Sequence, residues 1–111
     1  MAAALATPAA AAGERWVDFG VGDQGSAAAD VDSLKIDGDV RSFRVRLTPA
    51  KGPPSFIDAA VTCSTAVFEA RRITTDPDGP AKQVQEFTDA DRPRHMLDDV
   101  AGATLKALVC G

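Results

Sequence analysis

Large side chains and reactive side chains are scarce in this sequence. Its 111 residues include no tyrosine, one tryptophan, five phenylalanines, two cysteines and one histidine. A single histidine leaves no second one for a ligand pair, which argues against a zinc site. The two cysteines do not form a Cys-x-x-Cys motif, which argues against a redox site. No run of about 18 apolar residues is present, so the sequence predicts no membrane-spanning helix.

Alanine and charge are plentiful instead. Hydrophobic residues make up 45% of the chain, within the globular range, but alanine buries little area per residue. The length predicts one domain, residues 14–111, with a thin core that a covalent cross-link would help to stabilise. The net charge of −4, from 12 basic and 16 acidic residues, argues against binding to nucleic acid or to anionic membranes, both of which need concentrated positive charge.

The first 13 residues are rich in alanine and punctuated by proline. We predict that they form a disordered tail or the remnant of an export signal, because they resemble the small-residue end of a signal peptide without its basic start. No cysteine in this stretch could carry a lipid. The alternative is an alanine-rich start of a cytosolic protein, but together with the cysteine pair the pattern favours export.

Alternating apolar and polar residues predict an antiparallel sheet of five or six strands. The clearest strand is VRSFRVRLTP, residues 40–49, in which Phe43, Val45 and Leu47 share one face. Two earlier strands are predicted around a glycine-rich turn, and a turn or single helical turn is predicted after Asp30, leading to a tight DGD bend. KQVQEF, residues 82–87, is the last predicted strand, with Val84 as its inward residue.

The stretch AAVTCSTAVFEARRI, residues 59–73, predicts a hairpin that turns at Ser64 and Thr65. One register gives sensible pairs on both faces of the sheet, apolar on the inner face and either oppositely charged or apolar on the outer face. The predicted pairs are Val61 with Phe68, Ala59 with Ala70, Asp58 with Arg71, and Phe56 with Ile73.

The chain is predicted to end in a helix, after an exposed polar connection over residues 88–95. Apolar residues 97, 101, 105 and 108 fall within about 80° on a helical wheel and form a stripe that can lie across a sheet. Gly102 weakens the first turn, so the firm helix is predicted over residues 103–109. Asp98 and Asp99 suit its N-terminal end electrostatically.

Cys63 and Cys110 are the only two cysteines. Two cysteines in an exported domain most often form one disulfide, which here would close a loop of about 47 residues and constrain the unfolded chain by about 4 kcal/mol. Cys110 lies off the helical stripe, which places it beyond the end of the helix. Two free thiols, or a redox pair, are the alternatives.

Candidate catalytic and metal sites are weak. Cys63 and His95 are the one nucleophile and base that could act together, but His95 lies in the polar connection and is interpreted as a surface residue. Asp76 and Asp78 belong to DPDG, where aspartate favours a turn, and this loop lacks the spaced oxygen ligands of a calcium motif. We therefore expect no enzymatic activity, no catalytic or metal-binding residue and no cofactor.

Arginines form the one candidate binding face. If they share a face of the sheet, they create a basic patch that could bind an acidic protein, a heparin-like chain or a lipid head group. The alternative is a solvated sheet face on which Arg71 pairs with Asp58. The candidate face comprises Arg44, Arg46, Arg71 and Arg72, with Arg41 close to them.

Several of these features follow one another in a defined order. A tryptophan-led strand comes first, then an aspartate with a short turn, a long strand, a cysteine that closes a strand, and a short helix that ends in a second cysteine. The positions are Trp16, Asp30, Cys63 and Cys110. This order resembles the surface-adhesin protein E family of small exported bacterial domains, over residues 15–110. The aromatic residues that the family often has before the aspartate are alanines here, and tyrosine is absent.

The resemblance implies an α+β fold, with an antiparallel sheet packed by a C-terminal helix and joined to it by a disulfide, in the periplasm or on the cell surface. The namesake adhesin binds host extracellular-matrix proteins, whereas most relatives have no established activity and no binding residue can be transferred. We therefore expect a non-enzymatic, exported module that binds a matrix or envelope protein, or a second copy of itself through an open edge strand. The alternative is a periplasmic structural or accessory domain of an envelope assembly, with no diffusible ligand.

Overall fold

A computed structural model of the chain describes residues 15–75 and 82–111. These residues form one antiparallel sheet of seven strands followed by one helix, which confirms the predicted α+β fold with one strand more than expected. The predicted tail of residues 1–13 and the turn that contains Asp76 and Asp78 lie outside the described residues. The elements are β1 Trp16–Gly22, β2 Gly25–Asp37, β3 Val40–Pro49, β4 Ser55–Thr62, β5 Val67–Thr75, β6 Gln83–Glu86, β7 Arg94–Met96 and α1 Val100–Cys110.

The first six strands form an antiparallel meander in which each strand pairs with the next along the chain. The last strand, β7, returns to β5, so β6 and β7 share one side of β5, along residues 72–75 and 67–69 respectively. The helix lies on one face of the sheet, chiefly against β1 and β2. We call this the inner face and the opposite one the outer face.

The core lies between α1 and the inner face. Phe43 and Val45 of β3 are buried as their alternation predicts, whereas Leu47 on the same face stays 40% exposed. Three of the core residues are alanines, which matches the thin core expected from composition. The buried core comprises Ala29, Phe43, Val45, Ile57, Ala59, Val61, Ala70, Leu105 and Val109.

The prediction of a turn after Asp30 is wrong, because β2 continues as a strand of 13 residues. Its pairing with β3 is interrupted there, and side chains supply the missing hydrogen bonds. The Oδ1 atom of Asp30 accepts from the Asp32 amide at 3.1 Å. The Ser33 hydroxyl donates to the Asp30 carbonyl at 2.7 Å and accepts from the Arg44 amide at 2.9 Å. These polar side chains thus hold an irregularity inside the strand, and the tight bend after it is confirmed at Gly38.

The first half of the β4–β5 hairpin has the predicted register. Val61 pairs with Phe68, and Ala59 pairs with Ala70. The predicted two-residue turn is instead a connection of four residues, 63–66, because the last strand pair is at residues 62 and 67. It ends at Ala66, whose φ of 55° lies in the left-handed region.

Beyond Ala59 the predicted register is wrong by one residue. A bulge places Arg71 as an extra residue of β5, and alternation along β4 gave no sign of it. Because a bulge adds a residue to one strand only, the strand pairs continue with the next residue of β5. The observed pairs are Ile57 with Ile73, Asp58 with Arg72, and Phe56 with Thr74.

The strands on the far side of β5 also differ from prediction. Val84 was expected to point inward, but it is 46% exposed and lies opposite Thr74. All four residues of β6 are exposed, because β6 is an edge strand that the core does not reach. The polar connection over residues 88–95 is shorter than predicted, since its end forms β7. His95 in β7 is exposed.

The helix begins earlier than predicted, at Val100, and the prediction that Cys110 lies beyond its end is wrong, because Cys110 is its last residue. Asp99 is the N-cap, and its Oδ1 atom accepts a hydrogen bond from the Gly102 amide at 2.6 Å. Gly102 does not disrupt this turn. A Cβ atom there would lie 2.7 Å from the Cα atom of Leu97, so only glycine allows the capped turn to pack this closely.

The predicted disulfide joins Cys63 and Cys110, with the two Cα atoms 5.8 Å apart. Beside it, the Nε atom of Arg41 donates to the Val109 carbonyl at 3.1 Å, and Nη1 donates to the Gly38 carbonyl at 2.7 Å. The positive guanidinium also suits the negative end of the helix dipole. Arg41 therefore serves the inner face and does not join the other arginines, contrary to expectation.

Candidate functional site

Rows of side chains cross the strands on the outer face, because directly paired residues of an antiparallel sheet point to the same side. No helix or strand of the described residues covers this face. We name three rows by their content. The charged row is Trp16, Asp30, Arg44, Asp58, Arg72 and Glu86; the Arg46 row is Asp18, Ala28, Arg46, Phe56, Thr74 and Val84; the Glu69 row is Lys35, Ser42, Ala60, Glu69 and Arg94.

Acids and arginines alternate along the charged row. Arg44 stands between Asp30 and Asp58, and Arg72 stands between Asp58 and Glu86. The Nε atom of Arg44 and the Nη1 atom of Arg72 each lie 3.9 Å from a carboxylate oxygen of Asp58. Exposed pairs of this kind contribute little stability. Arg44 and Arg72, two of the four predicted arginines, thus share the carboxylate of Asp58.

Three guanidiniums surround Glu69, whose side chain is only 18% exposed. The Nε atom of Arg71 lies 3.1 Å from its carboxylate, Nη1 of Arg92 lies 2.9 Å away, and Nε of Arg94 lies 3.7 Å away. The expected pair of Arg71 with Asp58 is therefore replaced by a pair with Glu69. Arg92 and Arg94 were not predicted to belong to this face, although residues 92–94 are Arg-Pro-Arg and alternate residues of an extended chain point to the same side.

Arg46 differs from the other outer-face arginines. Among the described residues no carboxylate forms an ion pair with it. Its guanidinium carbon instead lies 4.7 Å from the centroid of the Trp16 ring, while that of Arg44 lies 5.6 Å from the centroid of Phe56. The two rings meet edge to face, with centroids 5.8 Å apart. We call Trp16, Arg44, Arg46 and Phe56 the aromatic–arginine cluster.

The cluster brings together residues from three strands. Each contact of a guanidinium with an aromatic ring is worth about 0.5–1 kcal/mol at an exposed site and restricts where the arginine can point. Phe56 was not predicted to be part of a site. A signal for it was present, because the alternation that turns Ile57 inward turns Phe56 outward, as it does for Arg44 and Arg46 in the preceding strand.

Asp30 is the one charged residue of the described part that is almost fully buried, at 1% exposure. Its Oδ1 atom accepts hydrogen bonds from the amides of Arg15 and Asp32, at 2.9 and 3.1 Å. No described residue donates to its Oδ2 atom. Asp30 therefore ties the start of β1 to the irregular part of β2. In the sheet it pairs with Trp16 on one side and with Arg44 on the other, both residues of the aromatic–arginine cluster.

The inner face carries an open groove of about 620 Å³ beside the start of α1. Its lining is mainly apolar, and Leu47 and Met96 in it are 40% and 58% exposed. Phe19, Leu97 and Leu105 also line it. We call it the helix-side groove.

Cys63 and Cys110 are bonded to each other, so neither sulfur carries a proton that a base such as His95 could remove to form a nucleophilic thiolate. Within residues 15–75 and 82–111, no group of three or more histidine, cysteine, aspartate or glutamate side chains could hold a metal ion. No helix among these residues is long and apolar enough to cross a membrane.

Comparison of the chain with known protein families, with curated proteins and with solved structures finds no match. The resemblance to the surface-adhesin protein E family therefore stays a prediction. The function proposed below depends on the chemistry of the outer face.

Proposed function

We propose that this chain is an exported, non-enzymatic bacterial domain that binds another protein through the outer face of its sheet. The aromatic–arginine cluster is the observation that supports this most strongly. Tryptophan and arginine are the residues most enriched among those that dominate binding energy in protein interfaces, and phenylalanine is enriched in interface cores. Here Trp16, Arg46 and Phe56 lie together on a sheet face that no described helix or strand covers.

Export is supported by the disulfide between Cys63 and Cys110. Disulfides persist in the periplasm and outside the cell, whereas the cytosol of most organisms keeps thiols reduced. A disulfide-bonded domain without a membrane-spanning helix in its described part is compatible with that location. We therefore propose the periplasm or the cell surface as the place where the partner is met.

The proposed partner is an extracellular-matrix or envelope protein. The alternating charges beside the cluster favour a protein surface that carries both signs, because each charge on the face can find an opposite one. A nucleic acid is disfavoured by the same row, whose carboxylates at Asp58 and Glu86 would face the phosphates. Self-association through β1, an edge strand, is a separate expectation that the mass of the purified protein in solution tests.

A binding panel with matched variants tests this proposal. Purified chain is passed over immobilised matrix proteins at about 0.15 M salt, where long-range charge effects are screened. The test variant replaces Arg44, Arg46 and Arg72 with alanine. The control variant replaces Lys51, Lys82 and Lys106, all exposed, with alanine and therefore changes the net charge by the same amount.

We expect at least one panel protein to bind the wild type and the lysine variant alike, and to bind the arginine variant about tenfold more weakly or worse. Equal loss in both variants would reduce the interaction to nonspecific charge and contradict the proposal. Absence of any binding to matrix and purified envelope proteins would favour the structural or accessory role instead.

A further inference from the structure

We infer that Arg46 recognises a carboxylate of the partner protein, on a segment in which this carboxylate is flanked by apolar side chains. The inference rests on the proposed function and adds the chemistry that the outer face selects. It assigns to Arg46 a role that the neighbouring arginines do not share.

Ion pairing on the outer face distinguishes Arg46 from its neighbours. Arg44 and Arg72 share the carboxylate of Asp58, and three other arginines share the carboxylate of Glu69. Arg46 has no acidic partner among the described residues, and in its own row only Asp18, separated from it by Ala28, carries another charge. A planar guanidinium binds a carboxylate through two parallel hydrogen bonds, which are stronger than those between neutral groups.

The free protein already orients this guanidinium. Its Cζ atom lies over the Trp16 ring, 4.7 Å from the ring centroid, and the Trp16 ring meets that of Phe56 edge to face. An arginine that is ordered before binding loses less side-chain entropy when the partner arrives. The Arg46 guanidinium forms no ion pair within the described residues, so its N–H groups stay available to a carboxylate of the partner.

The neighbours of Arg46 determine what should flank the carboxylate. Along its row Arg46 lies between Ala28 and Phe56, and farther on the row ends at Val84, which is 46% exposed. Ala28 is buried, but Phe56 and Val84 offer apolar contacts to apolar residues of a partner. A segment with many acids fits less well, because the acids of the adjacent charged row would repel it.

A nucleic acid is the competing class of partner for aromatic and arginine side chains on a sheet. Single-stranded nucleic acids bind by stacking bases on exposed ring faces. Here a guanidinium already lies over a face of Trp16 and another over a face of Phe56. The arrangement therefore favours a carboxylate bound by the guanidinium over a base stacked on either ring.

Tryptophan fluorescence provides a direct test, because Trp16 is the only tryptophan of the chain. We would titrate the whole chain with the blocked peptide Leu-Val-Glu-Val-Leu, with its glutamine counterpart Leu-Val-Gln-Val-Leu, with hexaglutamate, and with an oligothymidine. The proteins are the wild type, Arg46→Gln, Arg46→Lys, and Lys51→Gln, at an exposed position outside the cluster, as a control for the lost charge. Circular dichroism checks that each variant is folded.

We expect the wild type to bind the glutamate peptide about tenfold more tightly than the glutamine peptide, since only the glutamate side chain brings a negative charge and two acceptor oxygens to the guanidinium. This ratio should fall to about one in Arg46→Gln. It should fall partly in Arg46→Lys, which keeps the charge but loses the planar fork, and it should persist in Lys51→Gln.

Equal binding of the glutamate and glutamine peptides to the wild type, or no binding of either, would overturn the inference. Tighter binding of hexaglutamate or of the oligothymidine, lost in Arg46→Gln, would overturn it as well. Failure here is distinct from failure of the proposed function. That function would still be supported if the panel protein binds the wild type and not the triple arginine variant.

Discussion

Cys63 and Cys110 join the connection between β4 and β5 to the last residue of α1, with their Cα atoms 5.8 Å apart. The bond holds the only described helix against a sheet whose core contains several alanines. Because this core is small, we expect the cross-link to supply a large share of the stability of the domain. The disulfide thus helps to keep the helix on the inner face of the sheet, whose opposite face carries the proposed binding site.

Replacing both cysteines with serine is expected to lower the free energy of unfolding by about 2–5 kcal/mol, the usual cost of losing a native disulfide. Total stability is about 5–15 kcal/mol for a domain, so the change should be easy to measure by urea denaturation. Reduction of the disulfide in the wild type should lower its urea midpoint about as far as the serine substitutions do. An unchanged midpoint in both experiments would show that the bond does not stabilise the fold.

Arg41→Ala is expected to lower stability by about 1–2 kcal/mol, because the carbonyls of Val109 and Gly38 lose a charged donor. Arg41→Lys should recover only part of this loss, since one ammonium cannot reproduce the fork that reaches both carbonyls. Chemical denaturation of both variants gives the comparison. Lysine that restores full stability would mean that only the charge near the helix end matters.

Gly102→Ala is expected to destabilise the protein by about 1–3 kcal/mol, although alanine is the better helix former. The reason is steric, since the new Cβ atom would lie 2.7 Å from the Cα atom of Leu97 and 2.8 Å from Oδ1 of Asp99. Ala103→Gly, at an exposed position of the same helix, is the control and should cost about 1 kcal/mol through propensity alone. A melting temperature that rises in Gly102→Ala would contradict the close packing.

The sequence predicted the parts of this fold that depend on regular alternation. Strand β3 and the pairing of Val61 with Phe68 follow from periodicity and complementary faces. The bulge at Arg71 lies between the part of β5 that pairs with β7, residues 67–69, and the part that pairs with β6, residues 72–75. Strand β7 has only three residues, too few to show a period in the sequence. The strand through Asp30 and Ser33 was missed because side chains replace its backbone hydrogen bonds.

The candidate site was predicted only in part for a related reason. Alternation within one strand indicates that Arg44 and Arg46 share a face. Whether each arginine has an acidic neighbour depends on the registers of several strands at once, and one of these, β4 with β5, shifts at a bulge. The contact of Arg46 with Trp16 likewise joins strands that are not adjacent in the sheet.

Asp30 gives a test of how the start of β1 is held in place. Asp30→Ala removes the acceptor of two backbone N–H groups and should cost about 2–4 kcal/mol, whereas Asp30→Asn keeps an oxygen in place of Oδ1 and should cost less. Thermal unfolding followed by Trp16 fluorescence reports on both variants, because Trp16 follows the first of these amides in the chain. Equal losses in the two variants would show that the hydrogen bonds to Oδ1 are not what matters.

The central claim, that the outer face is the binding surface, is tested most directly by methyl resonances of the labelled protein with the tightest-binding panel protein added. The outer face has its own reporters in Ala28, Ala60 and Val84, and the helix-side groove has Leu47 and Met96. We predict that the partner shifts or broadens the outer-face methyls and leaves those of the groove unchanged. Perturbation confined to Leu47 and Met96 would contradict the claim and place the binding site on the opposite side of the sheet.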